Sequence, residues 1–442
     1  MNAAATSVCL GLLERLRALL FSPEFMERHR QDEKHFIRQR CLTFVTVVTF
    51  LLNLVKRSLQ DELDEFFKVL HGDAVAVRQV TKSAFSQARK KIKYEAFVEM
   101  NHTQVSYFYD HCEPLTWQGF RLLAVDGSTS TLPNTEEIIR HFGVWHSSAG
   151  EPCPLARVSQ MFDALNHVTV EAAIAPNARG ERELAALHFV HIGPGDLALL
   201  DRDYPAFWLF ALILSCQADF CARMPIGIWN AVDRFVASGL AEQIVTLFPS
   251  SQAIKECRAR GLSTAPFTVR LIRVDLPVRQ AGLPGEIEVL ATSLLDKTAY
   301  PVAVFKDLYH HRWPAEEGYK AMKCRIEVEN FTGTSVLAVY QDFHAKVFTM
   351  NLAAILAHPA QAVVRQQSQG KKYTYQVNMA NAFSKMKDTV VLLLHHVNIL
   401  PLLQRLWQLM IKTIEPIRPG RSYPRRKRVK PRRFPMVYKP LR

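Results

Sequence analysis

Residues 309–323 read YHHRWPAEEGYKAMK, and the placement of their polar side chains governs the reading of the whole chain. Tyr309, Arg312, Glu316 and Lys323 fall at offsets 0, 3, 7 and 14, which at about 100° per residue share one narrow helical face. A face carrying a carboxylate, two cations and a phenol is ill suited to a core. It suits a site that holds a metal ion beside a nucleic-acid phosphate. Pro314 cuts across this pattern, because it removes an N–H and crowds the carbonyl of His310. A helix that starts at Pro314 would carry Glu316 and leave Tyr309 and Arg312 in a preceding turn.

Upstream of that stretch the chain alternates strands and helices. Arg121–Val125 reads as an apolar strand leading into Asp126-Gly127-Ser128, with Ser130–Leu132 expected as its hairpin partner. Val158–Leu165 and Val168–Ile174 read as the next pair, separated by Asn166-His167. Glu181–Val190 reads as a helix, and Asp196–Leu200 as a buried strand ending at Asp201. Pro205–Cys216 has the pattern of an apolar helix with proline at its start, followed by a strand over Ala218–Met224. Taken alone, Asp126-Gly127 is ordinary turn chemistry, and Asp201 or Asp203 is a candidate cap for the helix near Pro205. Periodicity supports a mixed α/β class and no finer one. About eighty residues, roughly 225 to 300, then intervene, with strand-like alternation over Phe267–Val274 and Glu286–Ala291. Beyond the quoted stretch, Ser335–Ala357 has helical apolar spacing.

The first 115 residues read as helical. Leu42–Val55 is apolar nearly all round and should be buried; Leu59–Leu70 is amphipathic and ends at His71-Gly72-Asp73. Thr81 or Ser83 is placed to cap a helix bearing Arg89, Lys90, Lys91 and Lys93, and two helices around a short turn with a basic second member would suit DNA.

With 442 residues, 48% hydrophobic and 22% charged, the chain has material for two or three domains around a sizeable core. The formal charge of +14 points to a polyanionic partner, and its location narrows the choice. From Arg418 to Arg442 there are eleven Lys or Arg and no Asp or Glu, interleaved with Tyr423, Phe434 and Tyr438. This is a basic arm on a nearly neutral body, and its five prolines argue for an extended segment in contact with DNA backbone. Eight scattered cysteines show neither a C-x2-C pair nor zinc spacing, as expected of reduced thiols in a cytosolic protein. The apolar runs are too short to span a bilayer, and neither a membrane association nor a small-molecule cofactor is expected.

The pattern Y-x2-R-x3-E-x6-K formed by Tyr309, Arg312, Glu316 and Lys323 resembles the signature of DDE transposases of the insertion-sequence-4 group. LLAVDGSTSTLPNT around Asp126 looks like that family's first-aspartate block, and LALLDRDYPAF around Asp201 resembles its second, departing at Asp203-Tyr204. VLATSLLD and the ending RRFPMVYKPLR also look familial, so the resemblance runs from about residue 80 to the C-terminus. Glu316 lies 115 residues after Asp201, an insert of the size typical of the group.

The resemblance implies an α/β fold with a ribonuclease-H-like catalytic core interrupted by a β-rich insertion, plus an α-helical N-terminal domain and a basic C-terminal tail. The expected divisions are 1–115, 116–224, 225–300, 301–400 and 401–442. In such a core Asp126 and Asp201 would meet at one sheet edge with Glu316 beside them. Three converging oxygen ligands would call for Mg2+ or Mn2+, with two ions expected. Tyr309, Arg312 and Lys323 would grip phosphates. The implied activity is DNA cleavage at terminal inverted repeats followed by strand transfer, with a homodimer in the synaptic complex. Relatives that cut through a DNA hairpin stack a flipped base on an aromatic of the insert. Here Glu288 and Val289 stand at that place, leaving Trp229 as a substitute from elsewhere in the insert.

Overall fold

A computed structural model describes residues 3–38, 40–145, 153–275 and 287–418. The chain begins with six helices: α1 (Ala3–Phe21), α2 (Pro23–His29), α3 (Phe44–Leu52), α4 (Leu59–His71), α5 (Lys82–Arg89) and α6 (Glu95–His111). α3 is buried nearly all round, as its composition requires, and Thr43 caps it by accepting from the Thr46 N–H at 3.1 Å. α4 stops at Gly72, whose φ of 73° is the left-handed conformation that glycine adopts without penalty.

Thr81 caps α5, but the basic helix expected here differs in two respects. It ends at Arg89, so Lys90, Lys91 and Lys93 lie beyond it, and the connection from α4 runs through residues 72–81 and is no short turn. Arg89 itself is buried, its guanidinium donating to Gln341 Oε1 (2.9 Å), Thr332 Oγ1 (2.6 Å) and Asp342 Oδ1 (2.8 Å). A side chain so fully matched is part of the architecture and unavailable to DNA.

The central sheet starts with β1 (Arg121–Thr131), a single strand of 11 residues. Ser130 and Thr131 therefore continue the strand that holds Asp126 and do not form its hairpin partner. α7 (Glu136–Phe142) and β2 (Val144–Trp145) follow, then β3 (Cys153–Asp163) and β4 (Val168–Pro176). Ala164 N–H donates to Leu122 O and Leu132 N–H to Pro154 O, so β1 and β3 run antiparallel. α8 (Glu181–His188) leads to β5 (Asp196–Leu200), α9 (Phe207–Ser215) and β6 (Asp219–Met224). β5 pairs parallel with β1 and β6 parallel with β5.

The intervening segment holds α10 (Asn230–Ser238), β7 (Glu242–Leu247), α11 (Ser251–Ala259), β8 (Phe267–Asp275) and β9 (Ile287–Thr292). Its strands extend the same sheet, because β9 pairs antiparallel with β6 and β8 with β9. The sheet has nine strands in the order β2-β3-β1-β5-β6-β9-β8-β7, with β4 on β3. Within it, β4-β3-β1-β5-β6 is a ribonuclease-H-like order: three antiparallel strands, then two joined by helical crossovers and parallel to the first.

α12 (Ala303–His310), α13 (Trp313–Cys324) and α14 (Val336–Gln367) follow. α14 is long and apolar enough to cross a membrane by length and composition, yet 72% of its apolar window is buried inside the protein. It is a core helix, with its contacts to α3 and α6 and to later helices. The described chain closes with β10 (Tyr375–Val377), α15 (Met379–Met386), α16 (Thr389–His395), α17 (Leu400–Lys412) and β11 (Ile414–Pro416). The basic arm from residue 419 onward lies outside the described residues.

Two compact units result. One contains the described residues of Met1–Pro114, Ser130–Ala156 and Lys320–Arg442; the other contains Leu115–Thr129 and Arg157–Tyr319. The second unit holds a core of Leu122, Ala124, Leu197, Leu199, Ile272, Leu290, Phe305, Leu308 and Tyr309, among others.

Candidate active site

The parallel pairing of β1 with β5 matches Val125 with Leu200 as its last pair. The next residue on each strand is an aspartate, so Asp126 and Asp201 stand side by side where the two strands part. β1 continues past Asp126 toward β3, and β5 ends. Two carboxylates are thus delivered to one sheet edge by register alone.

Glu316 and Arg312 arrive from the quoted stretch, which is not one helix. α12 ends at His310, Arg312 sits in the turn, and α13 begins at Trp313 with Pro314 in its first turn. The single-face arrangement of Tyr309, Arg312, Glu316 and Lys323 is therefore replaced by a break, whose cause is the ring of Pro314. Across the break Arg312 donates to Glu316 Oε1 at 2.8 Å. Gly318 allows α13 to come close to β3: a Cβ there would stand 3.3 Å from Gln160 Nε2. Gln160 in turn donates to the carbonyl of Ala315 at 3.2 Å.

Two tyrosines tie this segment to the strand ends. Tyr319 donates its hydroxyl to the Asp126 carbonyl at 2.9 Å, and Tyr309 to the Leu200 carbonyl at 3.4 Å, one residue before Asp201. Tyr309 is only 8% exposed. Its hydroxyl is committed to the backbone, a different setting from the phosphate grip expected of it. Lys323 occupies the last turn of α13, in the other unit. Tyr319 was not singled out in the sequence; its position three residues after Glu316, beside a glycine, was the available signal.

Burial governs the electrostatics of the two aspartates. Burial, with Asp201 and Glu316 adding to it, pushes the Asp126 carboxyl up to about 6, against the pull of the Gly127 N–H and of Arg312. Asp201 is likewise raised, chiefly by burial, although its Oδ1 accepts from the Asp203 N–H at 2.8 Å in a local turn. Asp203 is exposed and caps nothing; α9 begins at Phe207 without a side-chain cap. Arg312 is the cation that partly compensates the carboxylates, and its Nε is buried without a partner. No choice of one oxygen from each of the three carboxylates brings all three atoms within 4.8 Å of one another.

Such a donor set fits a hard divalent cation. All the candidate ligands, Asp126, Asp201 and Glu316, are carboxylates, the donor type that such a cation takes. The Asp126 carboxyl is raised chiefly by burial, with smaller contributions from Asp201 and Glu316. Asp126, Asp201 and Glu316 are the residues that would hold the cation.

In the intervening segment, Glu288 pairs with Arg223 at 2.9 Å. Trp229 is half-buried at the start of α10, its ring 6.3 Å from that of Phe210.

No family model matches the chain. It is 27% identical over 256 residues to the transposase InsG for insertion sequence element IS4 of Escherichia coli (strain K12), an alignment covering 57% of this chain and 55% of that protein. The chain thus spans about half the length of the curated relative it matches. It is similar, then, to a transposase of the group that its sequence motifs resemble. A cryo-EM structure of the piggyBac transposase synaptic complex with hairpin DNA superposes with a TM-score of 0.45 at 10% identity, covering 93% of this chain and 87% of that one. The fold assignment rests on the strand order and not on that superposition.

Proposed function

We propose that this chain is a DDE transposase that cleaves DNA at the ends of its element and joins the freed ends to target DNA. The observation that carries the proposal is the pairing of Val125 with Leu200, which puts Asp126 and Asp201 together at the edge that α13 reaches with Glu316. The similarity to the IS4 transposase supports the reaction class.

Asp126, Asp201 and Glu316 would hold Mg2+ or Mn2+, with two ions expected. Once bound, such ions polarise a phosphodiester and activate the attacking water or 3′-hydroxyl. The chain's own residues prepare the ground. Tyr319 fixes the backbone of Asp126, and Tyr309 fixes β5 just before Asp201. Arg312 occupies the carboxylate site as a resident cation, and its unpartnered Nε–H is a donor suited to a phosphate oxygen. Lys323 would add a point charge along the DNA end. The tail from residue 418 would supply sequence-independent attraction to the duplex. A homodimer on paired DNA ends and a cytoplasmic location belong to the same reading.

Labelled duplexes carrying the DNA that flanks the gene, incubated with Mg2+ or Mn2+, test it. The intact protein should nick at the element boundary and join the product to target DNA. Glu316→Gln should bind equally and cut at least about a thousandfold more slowly. Cleavage without joining would leave a nuclease, and equal cleavage by both proteins would overturn the carboxylate assignment. Deleting residues 418–442 should flatten the dependence of log affinity on log salt; an unchanged slope removes the tail from the interface.

A further inference from the structure

A fourth carboxylate stands behind Asp126. Glu181 is the first residue of α8, and it is held there by an ion pair with Arg157 of β3. A Cβ built on Gly127 would lie 3.1 Å from the Glu181 carboxyl carbon and 3.3 Å from the Tyr204 hydroxyl. The residue after Asp126 therefore has no side chain, and into that gap project a carboxylate and a phenol.

The phenol supplies an independent sign that the gap has an occupant. Tyr204 is 1% exposed, and its hydroxyl is buried without a hydrogen-bond partner. A buried hydroxyl left unmatched costs about 1–3 kcal/mol. Burial above all, and then Asp126, Glu181 and Asp201, discourage its ionisation, with Arg157 opposing them. The Arg157 Nε is also buried and unpartnered. The Tyr204 hydroxyl and the Arg157 Nε–H are thus buried donors without acceptors beside Glu181 and Gly127, and such donors call for an oxygen acceptor such as an ordered water.

We propose that Glu181 is a further acidic residue of this site, directed toward the divalent cation that Asp126 would hold, with Arg157 setting its position and Tyr204 donating to the oxygen atoms between the two carboxylates. The inference rests on the reading of Asp126, Asp201 and Glu316 as a metal site. It makes α8 a working part of that site in addition to a crossover between β4 and β5. Gly127 is then required by the close approach of Glu181 and Tyr204, and not by its backbone angles.

The test is Mn2+ binding to the full-length protein without DNA, followed by calorimetry or by loss of the free-ion paramagnetic resonance signal. Melting in EDTA is recorded alongside. Glu181→Gln should weaken Mn2+ binding about tenfold or more, the range expected when a supporting ligand is lost, with metal-free melting unchanged or raised. Tyr204→Phe should weaken it several-fold and leave metal-free melting intact. An unchanged Mn2+ affinity in Glu181→Gln, with a lowered metal-free melting temperature, would reduce the residue to a structural ion pair and overturn the inference. Asp126→Asn is the control: if it too binds Mn2+ normally, the metal-site reading itself has failed, and if only Asp126→Asn is impaired, Glu181 alone has been misassigned.

Discussion

Two of the places where charge is buried, one in each unit, treat it in opposite ways. Arg89 and Asp342 form a matched group: the guanidinium has acceptors on Gln341, Thr332, Asp342 and the Ala338 carbonyl, and Asp342 also accepts from the Thr332 N–H at 2.6 Å. At the strand ends, Asp126 and Asp201 have one short-range backbone donor each, and Arg312 serves all three carboxylates. The first arrangement leaves nothing to bind. The second is incomplete as it stands, which is how a structural ion pair and a ligand site can be told apart when both are buried.

The contrast breaks most sharply at Asp342. Asp342→Ala strands the Arg89 charge and should destabilise the protein by about 3–5 kcal/mol, measured by urea denaturation. A loss below about 1 kcal/mol would mean that the network is not the closed unit described.

At the strand ends the sign reverses. The raised Asp126 carboxyl contributes stability that is complete below its ordinary range, and that is lost as pH rises through about 6. Metal-free protein should therefore lose about 1–2 kcal/mol between roughly pH 4 and pH 7. Asp126→Asn should flatten that slope, leaving the part that the likewise raised Asp201 contributes, and Mn2+ should restore the lost stability at the upper end. Parallel melting curves for the two proteins across this range would contradict the assignment.

The tyrosines give the finest comparison. Tyr319→Phe removes a buried bond of 2.9 Å and should cost about 1–2 kcal/mol, whereas Tyr309→Phe removes one of 3.4 Å and should cost less than about 1 kcal/mol. If Tyr309→Phe instead leaves stability untouched and weakens DNA binding, its hydroxyl belongs to the phosphate after all.

Much of this is legible in the sequence. The apolar runs into Asp126 and Asp201 and the polar spacing from Tyr309 onward are local features, and local features survive in sequence. Pairing is non-local, so β1 was cut short at Val125: Gly127-Ser128 has turn composition, yet β3 offers partners that carry the strand on to Thr131. Arg89 looked like surface because its acceptors lie some 250 positions away at Gln341 and Asp342. Tyr204 lies in the block around Asp201 and Glu181 opens a helix legible in the sequence, but their meeting at Gly127 is not legible there, because it depends on β1, α8 and the β5–α9 connection together. Pro314 is the opposite case: its covalent chemistry alone argued for the break that the structure contains.

The extension of the sheet by β9, β8 and β7 has a kinetic consequence. α12, whose end leads into the turn before Glu316, rests on a core that includes Ile272 and Val274 of β8 and Leu290 of β9. The acidic edge is complete only when strands far apart in the chain have paired and a late helix has docked on them, and contacts of such sequence separation form slowly. During synthesis both aspartates emerge well before Glu316 does. A half-made chain of this protein carries its two aspartates without the third carboxylate, so the acidic edge cannot be complete until Glu316 has been made and its helix has docked.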